Sequence, residues 1–253
     1  MRAGCLAALM IASVGLAAPA WSACDAMGDY RGVALKRFSG SAAYAYSTSR
    51  IAIDADGAPN AYHPQDRGID ALANAGYPNG GWRSIIVPDP ANPSRGYVQP
   101  SGPFAGYFVS MTTVQDTGKA RTDPARYVDS TKVPYIVFPG AFYRMKGTGH
   151  RGVLGMARNL ATGQTSPMIF ADGGATNHEL GEVSIKLAEN LGGANVNPRT
   201  GRGAPRGPFA YVIFPGSETS PPWPRSDADL RDRAEAELAR IGGWEAVTAC
   251  LAR

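Results

Sequence analysis

Glycine and proline punctuate the whole length of this chain. The sequence contains 31 glycines and 20 prolines, spread evenly through 253 residues. They separate short runs rich in valine, isoleucine, tyrosine and phenylalanine, a pattern typical of short strands joined by turns. The pattern predicts a mostly β fold. The expected strands are 32–38, 42–53, 83–87, 106–114, 134–138, 152–158, 167–171 and 209–214.

Two segments depart from this pattern and predict helices. In 183–191, apolar residues recur at three and four positions, and Gly192 and Gly193 end the run. A second helix should begin at Ser226, a favourable N-cap, and continue with an apolar stripe until a second pair of glycines. No internal repeat or long linker interrupts the chain. We therefore expect one domain over 24–253, with a core at about 32–217 and a C-terminal helical segment at 226–251.

The first 23 residues resemble a secretory signal. Arg2 precedes an apolar run over 3–18, and small residues follow it. An uncleaved membrane anchor is the alternative, although the far side of the run lacks a basic flank. We expect cleavage near residue 23 and a secreted or periplasmic protein that no longer contacts a membrane.

The cysteines agree with export. Cys5 leaves with the signal, so the mature chain retains Cys24 and Cys250. An even pair in an oxidising compartment predicts a disulfide, and two free thiols are the alternative. With so few cysteines and three histidines, no zinc site is expected.

The charge and the motifs of the chain argue against a nucleic-acid-binding or dinucleotide-binding protein. The chain has 25 basic and 21 acidic residues, and the basic ones form no stripe, so nucleic acid is not an expected partner. The glycines of 147–152 fit a dinucleotide-binding fingerprint, but no helix follows to receive a pyrophosphate. We expect a monomer that needs no cofactor and no metal.

Two acidic residues stand out as candidate catalysts. The apolar run 168–171 leads into Asp172 and two glycines, and Glu182 follows after a polar loop at the expected start of a helix. Two carboxyl groups that face one cavity could act as the acid and the base of glycosidic bond hydrolysis. An aspartate before two glycines is also a common turn former.

The segment around these acids resembles the chitosanases of glycoside hydrolase family 75. Similar segments run in the same order over about 35–217, at 53–57, 127–130, 133–140, 170–172, 181–188 and 214–217. The resemblance implies a compact six-stranded, double-psi-like β-barrel with a few peripheral helices, and inverting cleavage of the β-1,4 bonds of chitosan. It also implies that Asp172 and Glu182 are the essential pair. The chain departs from the family at Met156, where an aspartate is usual.

The roles of the pair and of the neighbouring residues are hypotheses at this stage. Burial of Glu182 would favour its use as the acid, whereas the positive end of a helix there would favour its ionised form. We assign Glu182 as acid and Asp172 as base. Asp54 and Asp56 form an Asp-x-Asp-Gly turn at a strand end, where Asp54 could bind a glucosamine ammonium group.

Other candidates and other functions remain open. Tyr62 and His63 could contact sugar or simply pack within the protein, and Glu179 is a spare acid. Asp129 is better explained as a structural hydrogen-bonding residue. Peptidoglycan or another wall glycan is an alternative substrate, and a non-catalytic polysaccharide-binding barrel is an alternative function.

Overall fold

The computed structural model describes residues 24–252, so the predicted signal lies outside the described residues. The fold is mostly β, as predicted, with one large sheet and a few helices. The strands are β1 (Cys24–Tyr30), β2 (Val33–Phe38), β3 (Tyr44–Thr48), β4 (Ala52–Asp54), β5 (Pro88–Asp89), β6 (Asn92–Gly96), β7 (Tyr135–Pro139), β8 (Leu154–Asn159), β9 (Thr165–Gly174), β10 (Glu182–Ser184) and β11 (Phe209–Phe214). The helices are α1 (Gly140–Tyr143), α2 (Ile185–Asn190), α3 (Asp227–Arg240) and α4 (Gly243–Leu251).

Nine strands form the large sheet, in the order β1-β2-β3-β11-β8-β9-β7-β10-β4, and β5 pairs with β6 separately. Two pairings are parallel, β7 with β9 and β10 with β4, and the others in the large sheet are antiparallel. β1 and β4 lie at the two edges. Within 24–252 these pairings do not close a ring.

The inner strands of the large sheet are buried on both faces. Along β7, Tyr135 and Val137 contact one apolar cluster, while Ile136 and Phe138 contact another. The first cluster is completed by α3 and α4, and the second by α1 and α2. Complete burial of each large apolar side chain stabilises the fold by about 1.5–3 kcal/mol. Burial on both faces explains why the inner strands are nearly continuous apolar runs.

Two predicted strands, 83–87 and 106–114, are wrong. Trp82–Ser84 is a 3₁₀ turn, and the remaining backbone forms only isolated bridges such as Ile86 with Ser110. Ile86 and Phe108 pack around Trp82 in one local cluster, and Val87 and Val109 belong to a second one. That packing accounts for their apolar composition without a continuous ladder. The predicted strand 42–53 is divided into β3 and β4.

The helix predictions are partly correct. Glu182–Ser184 is a strand, and α2 begins only at Ile185, with the Ser184 hydroxyl accepting a hydrogen bond from the Leu187 N–H. The placement of Glu182 at a helix start was therefore wrong. α3 does begin after the predicted N-cap, Ser226, which accepts a hydrogen bond from the Asp229 N–H at 3.1 Å.

The predicted disulfide is confirmed. Cys24 on β1 is bonded to Cys250 on α4, and their Cα atoms are 5.5 Å apart. The bond attaches the C-terminal helix to the edge of the large sheet. Among residues 24–252, no helix combines the length and the hydropathy that crossing a bilayer requires.

Candidate active site

Asp172 and Glu182 lie on either side of one residue, Val137. Val137 on β7 pairs with Asp172 on β9 and, across its other edge, with Glu182 on β10. Residues paired across adjacent strands point to the same face of a sheet, so both carboxyl groups lie on the Val137 side. Two strand spacings separate their Cα atoms by about 9–10 Å. The pair therefore lies on one face of the sheet, with Val137 between the two acids.

A β-bulge places Asp172 in this register. Ile136 pairs with Phe170, but the next residue of β7, Val137, pairs with Asp172, which leaves Ala171 as the extra residue. An extra residue of this kind re-aims the side chains that follow it. Farther along β9, a Cβ on Gly174 would lie 3.2 Å from Glu182 Oε2, so glycine at this position leaves room for the carboxyl group.

Asp172 is held mainly through one carboxyl oxygen. Its Oδ1 accepts hydrogen bonds from the Thr113 N–H at 2.8 Å, the Thr113 hydroxyl at 2.7 Å and the Gly173 N–H at 2.9 Å. Burial raises the pKa of Asp172 to about 6, while these hydrogen bonds act in the opposite direction. No donor in the described chain bonds to Oδ2, which leaves that oxygen available to a reactant.

Glu182 has a different environment. Its carboxyl group accepts no hydrogen bond from the residues that the structure describes, and the residue is half-buried. Desolvation raises the pKa of Glu182 to about 7, and the nearby charge of Asp54 adds to the increase. A carboxyl group without donors to stabilise its anion is suited to remain protonated and to give up its proton to a substrate.

Asp54 and Asp56 lie beside the pair. Asp54, at the end of β4, accepts hydrogen bonds from the Asp56 N–H at 2.9 Å and contacts the Tyr135 hydroxyl at 3.0 Å. Burial, followed by the charge of Asp172, raises the pKa of Asp54 to about 7. Burial also raises the pKa of Asp56 well above its usual value. Oxygens of Asp54, Asp56 and Asp172 lie within 4.8 Å of one another, a spacing at which carboxylates can hold a cation.

The hydroxyl contacts of Tyr135 indicate which form Asp54 takes. The hydroxyl is 3.0 Å from Asp54 Oδ2 and 3.0 Å from the carbonyl oxygen of Asp56. A phenol has one hydrogen to donate, and a backbone carbonyl can only accept. Both contacts become good hydrogen bonds when Asp54 is protonated and donates to Tyr135. The geometry and the raised pKa of Asp54 thus agree on a neutral carboxyl group.

The raised pKa of Asp54 has a consequence for stability. A carboxyl group whose pKa is higher in the folded state than in the unfolded state favours folding at low pH, and this contribution is lost as the pH rises through the folded-state pKa. For Asp54 the window runs from its ordinary value of 3.8 to about 7. We expect Asp54→Asn, which keeps a donor toward Tyr135, to lose less stability than the wild type between pH 4 and pH 8.

Thermal unfolding at intervals across this pH range measures the effect. Asp232→Asn is the matched control, because Asp232 is exposed on α3 and forms no ion pair within 24–252. Parallel pH curves for the wild type and Asp54→Asn would contradict a neutral Asp54. A steeper loss of thermal stability with rising pH in Asp54→Asn than in the wild type would contradict a neutral Asp54 more strongly.

The other predicted residues are placed as follows. Tyr62 is buried, and its hydroxyl contacts Asp56 at 2.8 Å and Asp70 at 3.3 Å, so it holds the acidic cluster together. His63 is next to it but bonds to the Gln65 N–H and contacts Arg67. Glu179 forms an ion pair with Arg50 at 2.9 Å.

Three residues of the site escaped the sequence analysis: Thr113, Tyr135 and Asp70. Thr113 lies at the end of a loop that reaches Asp172 only through folding, so no local pattern indicates it. Tyr135 lies two residues before Val137 in a recognisable strand, but its hydroxyl reaches Asp54 on β4, beyond β10. Asp129 bonds to the Thr131 N–H and hydroxyl, which fits its predicted structural role.

A groove lies beyond the turn that carries Asp54 and Asp56. Its volume is about 920 Å³, and Gly57, Phe104, Tyr127 and Trp223 contribute to its walls. Neither Asp172 nor Glu182 lines it. We therefore locate the candidate active site by the convergence of the acidic side chains.

A scan against family models finds no match, and a search of curated proteins finds none either.

Proposed function

We propose that this protein is an exported glycoside hydrolase that cleaves the β-1,4 bonds of chitosan with inversion at the anomeric carbon. The observation that carries the proposal is the pairing of Asp172 and Glu182 with opposite edges of Val137. Inverting glycosidases hold their two carboxyl groups about 6.5–9.5 Å apart, which leaves room for one water beside the sugar. A Cα separation of two strand spacings is compatible with this range.

Glu182 acts as the general acid and Asp172 as the general base. Oδ2 of Asp172 takes a proton from water as the water oxygen bonds to the anomeric carbon. The glycosidic bond breaks, and the leaving oxygen receives the proton of Glu182. The pKa values of about 6 for Asp172 and about 7 for Glu182 favour an ionised base together with a protonated acid near pH 6–7.

The acidic character of the site supports an amino sugar as substrate. Asp54, Asp56 and Asp172 are buried together, and no ion pair with a basic side chain in the described chain neutralises them. A glucosamine ammonium group would supply a positive charge beside Asp54 and Asp56 and form charge-assisted hydrogen bonds with whichever carboxyl group it ionises. Its arrival would also favour the ionised form of Asp54.

The finer fold assignment belongs to the same proposal. We propose that the central strands form the six-stranded, double-psi-like barrel that the family resemblance implies. Two parallel pairings among antiparallel ones support this, because a simple meander would contain none. The disulfide between Cys24 and Cys250 supports an oxidising, secreted or periplasmic location.

Release of new reducing ends from chitosan, chitin and peptidoglycan tests the function. We expect the wild type to cleave chitosan, and proton NMR during the first minutes to show the α-anomer as the initial product. Release of reducing ends from peptidoglycan alone would identify the wall glycan as the substrate. An initial β-anomer would contradict inversion, and binding without any release would favour a non-catalytic binding protein.

A further inference from the structure

The groove of about 920 Å³ lies on the same side of the sheet as the acid pair. Val133 and Trp223 line it, and both pack in the apolar cluster that contains Val137. Gly57, in the turn of the acidic cluster, lines it as well. A Cβ on Gly57 would lie 2.1 Å from the carbonyl oxygen of Val128, so only glycine allows this turn to pack so closely against its neighbour. The groove and the acidic cluster are therefore adjacent.

Aromatic rings contribute to the wall of the groove. Phe104, Tyr127 and Trp223 line it, and Phe104 and Trp223 are half-buried, so part of each of these two side chains is exposed. A sugar ring carries C–H groups that pack on aromatic rings, while its polar groups need hydrogen-bond partners. Sites for small molecules have volumes of about 300–1,000 Å³. The groove is therefore large enough for a short stretch of glycan.

A buried glutamine supplies the groove with a fixed polar atom. Gln99 lines the groove and is 6% exposed. Its Nε2 donates to the carbonyl oxygen of Pro59 at 2.6 Å and to that of Phe108 at 3.2 Å. Because both partners can only accept, the orientation of the amide is settled, and Oε1 lies on its other side. Oε1 accepts no hydrogen bond from the residues that the structure describes, so it is the acceptor that Gln99 offers to a ligand.

The charges that line the groove cancel. Two acidic residues, Asp116 and Asp129, accompany two basic ones, Lys119 and Lys132. Asp129 and Lys132 form an ion pair at 3.2 Å. An ammonium group that leaves water would therefore find no surplus negative charge here, in contrast to the acidic cluster. A neutral group with an N–H to donate is the better match to the Gln99 oxygen.

We propose that the groove binds an N-acetylglucosamine unit of the glycan, while the acidic cluster binds glucosamine. The inference rests on the proposed function, because it assigns a second subsite to the same polymer. Oε1 of Gln99 accepts the N–H of the acetamido group, and the rings of Phe104 and Trp223 contact its methyl group and the sugar ring. The substrate class is then a partly acetylated amino-sugar polymer. Peptidoglycan carries the same acetamido group, so it is the other source of this ligand.

Isothermal titration of two tetrasaccharides, one of N-acetylglucosamine and one of glucosamine, tests the proposal. The protein is the full chain carrying Glu182→Gln to prevent hydrolysis. The added change Gln99→Met should weaken binding of the acetylated ligand about fivefold, the loss expected for one hydrogen bond. Phe104→Ala should weaken it by a similar factor because apolar contact is lost. Neither change should alter the affinity for the glucosamine ligand.

Gln164→Met is the matched control. Gln164 is an exposed glutamine between β8 and β9 and does not line the groove, so its replacement should leave both affinities unchanged. Phe104→Ala keeps the hydrogen bonds of Gln99 to the backbone, so it tests the groove without the contacts that Gln99→Met removes. A peptide-free peptidoglycan tetrasaccharide is the third ligand. Whichever acetylated ligand binds more tightly, with loss in both groove variants, identifies the source.

Two results would overturn the subsite: unchanged binding of both acetylated ligands in the groove variants, or an equal loss of the acetylated and the glucosamine ligands. The failure of the proposed function has a different signature. If the wild type releases no reducing ends from any polymer, but binding of an acetylated ligand still depends on Gln99 and Phe104, the hydrolase proposal fails and the subsite stands.

Discussion

Asp172→Asn and Glu182→Gln should each reduce chitosan hydrolysis by about a thousandfold or more, because general acid and base groups contribute about 10²–10⁴-fold each. The two losses should differ in kind. Glu182 is needed only to protonate the leaving oxygen, so Glu182→Gln should retain most activity on a dinitrophenyl glycoside, whose leaving group departs without a proton. Asp172→Asn should remain inactive on this substrate, since water still has to be activated.

Steady-state rates on the polymer and on the aryl glycoside measure this difference. Glu189→Gln is the matched control, because Glu189 lies on α2, seven residues beyond Glu182, and forms no ion pair within 24–252. Far-ultraviolet circular dichroism checks that each variant is folded. If Asp172→Asn, rather than Glu182→Gln, retains activity on the dinitrophenyl glycoside, the roles of acid and base are reversed. Full activity of both variants on chitosan would remove the pair from the mechanism.

Removal of the disulfide is expected to cost about 2–5 kcal/mol of unfolding free energy, since the bond closes a very long loop. The linked cysteines are 226 residues apart in sequence. Cys24→Ser together with Cys250→Ser should therefore lower the urea midpoint strongly. Below the unfolding range the activity should be kept, because β1 lies at the opposite edge of the sheet from β4 and β10.

Urea unfolding monitored by tryptophan fluorescence measures the loss. Wild-type protein treated with a reductant provides an independent comparison, and it should unfold at the same urea concentration as the double variant. An unchanged midpoint would show that the packing of α4 alone holds the C-terminal segment. Loss of activity in the fully folded double variant would indicate that the disulfide also affects the geometry of the candidate active site.

The inner strands could be predicted from sequence because a strand that is buried on both faces is a nearly continuous run of apolar residues. All six residues of β11 are buried, and its predicted bounds coincide with the observed ones. β1 was missed, because it is an edge strand whose exposed positions include Asp25 and Asp29. β10 was missed for a different reason. It has three residues and continues directly into α2, so the apolar spacing of the helix extends over it.

The acidic residues of the site were found because aspartates and glutamates after strands and glycines are conspicuous. Their partners were not, because the relevant contacts join distant parts of the chain. Thr113 and Asp172 are separated by 59 residues, and Tyr135 and Asp54 by 81. The relation between Asp172 and Glu182 also depends on a strand far from both in sequence, β7, and on a bulge that no residue pattern specifies.

The place of Val137 between the two acids has a practical consequence. The distance between the proposed acid and base is built into three adjacent strands and does not depend on the long loop over 55–108. Exchange of that segment would remove Asp56, Tyr62 and Asp70 from the acidic cluster but would leave in place the strand pairings that set this distance. Val137 itself is buried in the apolar cluster that α3 and α4 complete, so a change of its size would alter the core together with the spacing of the two carboxyl groups.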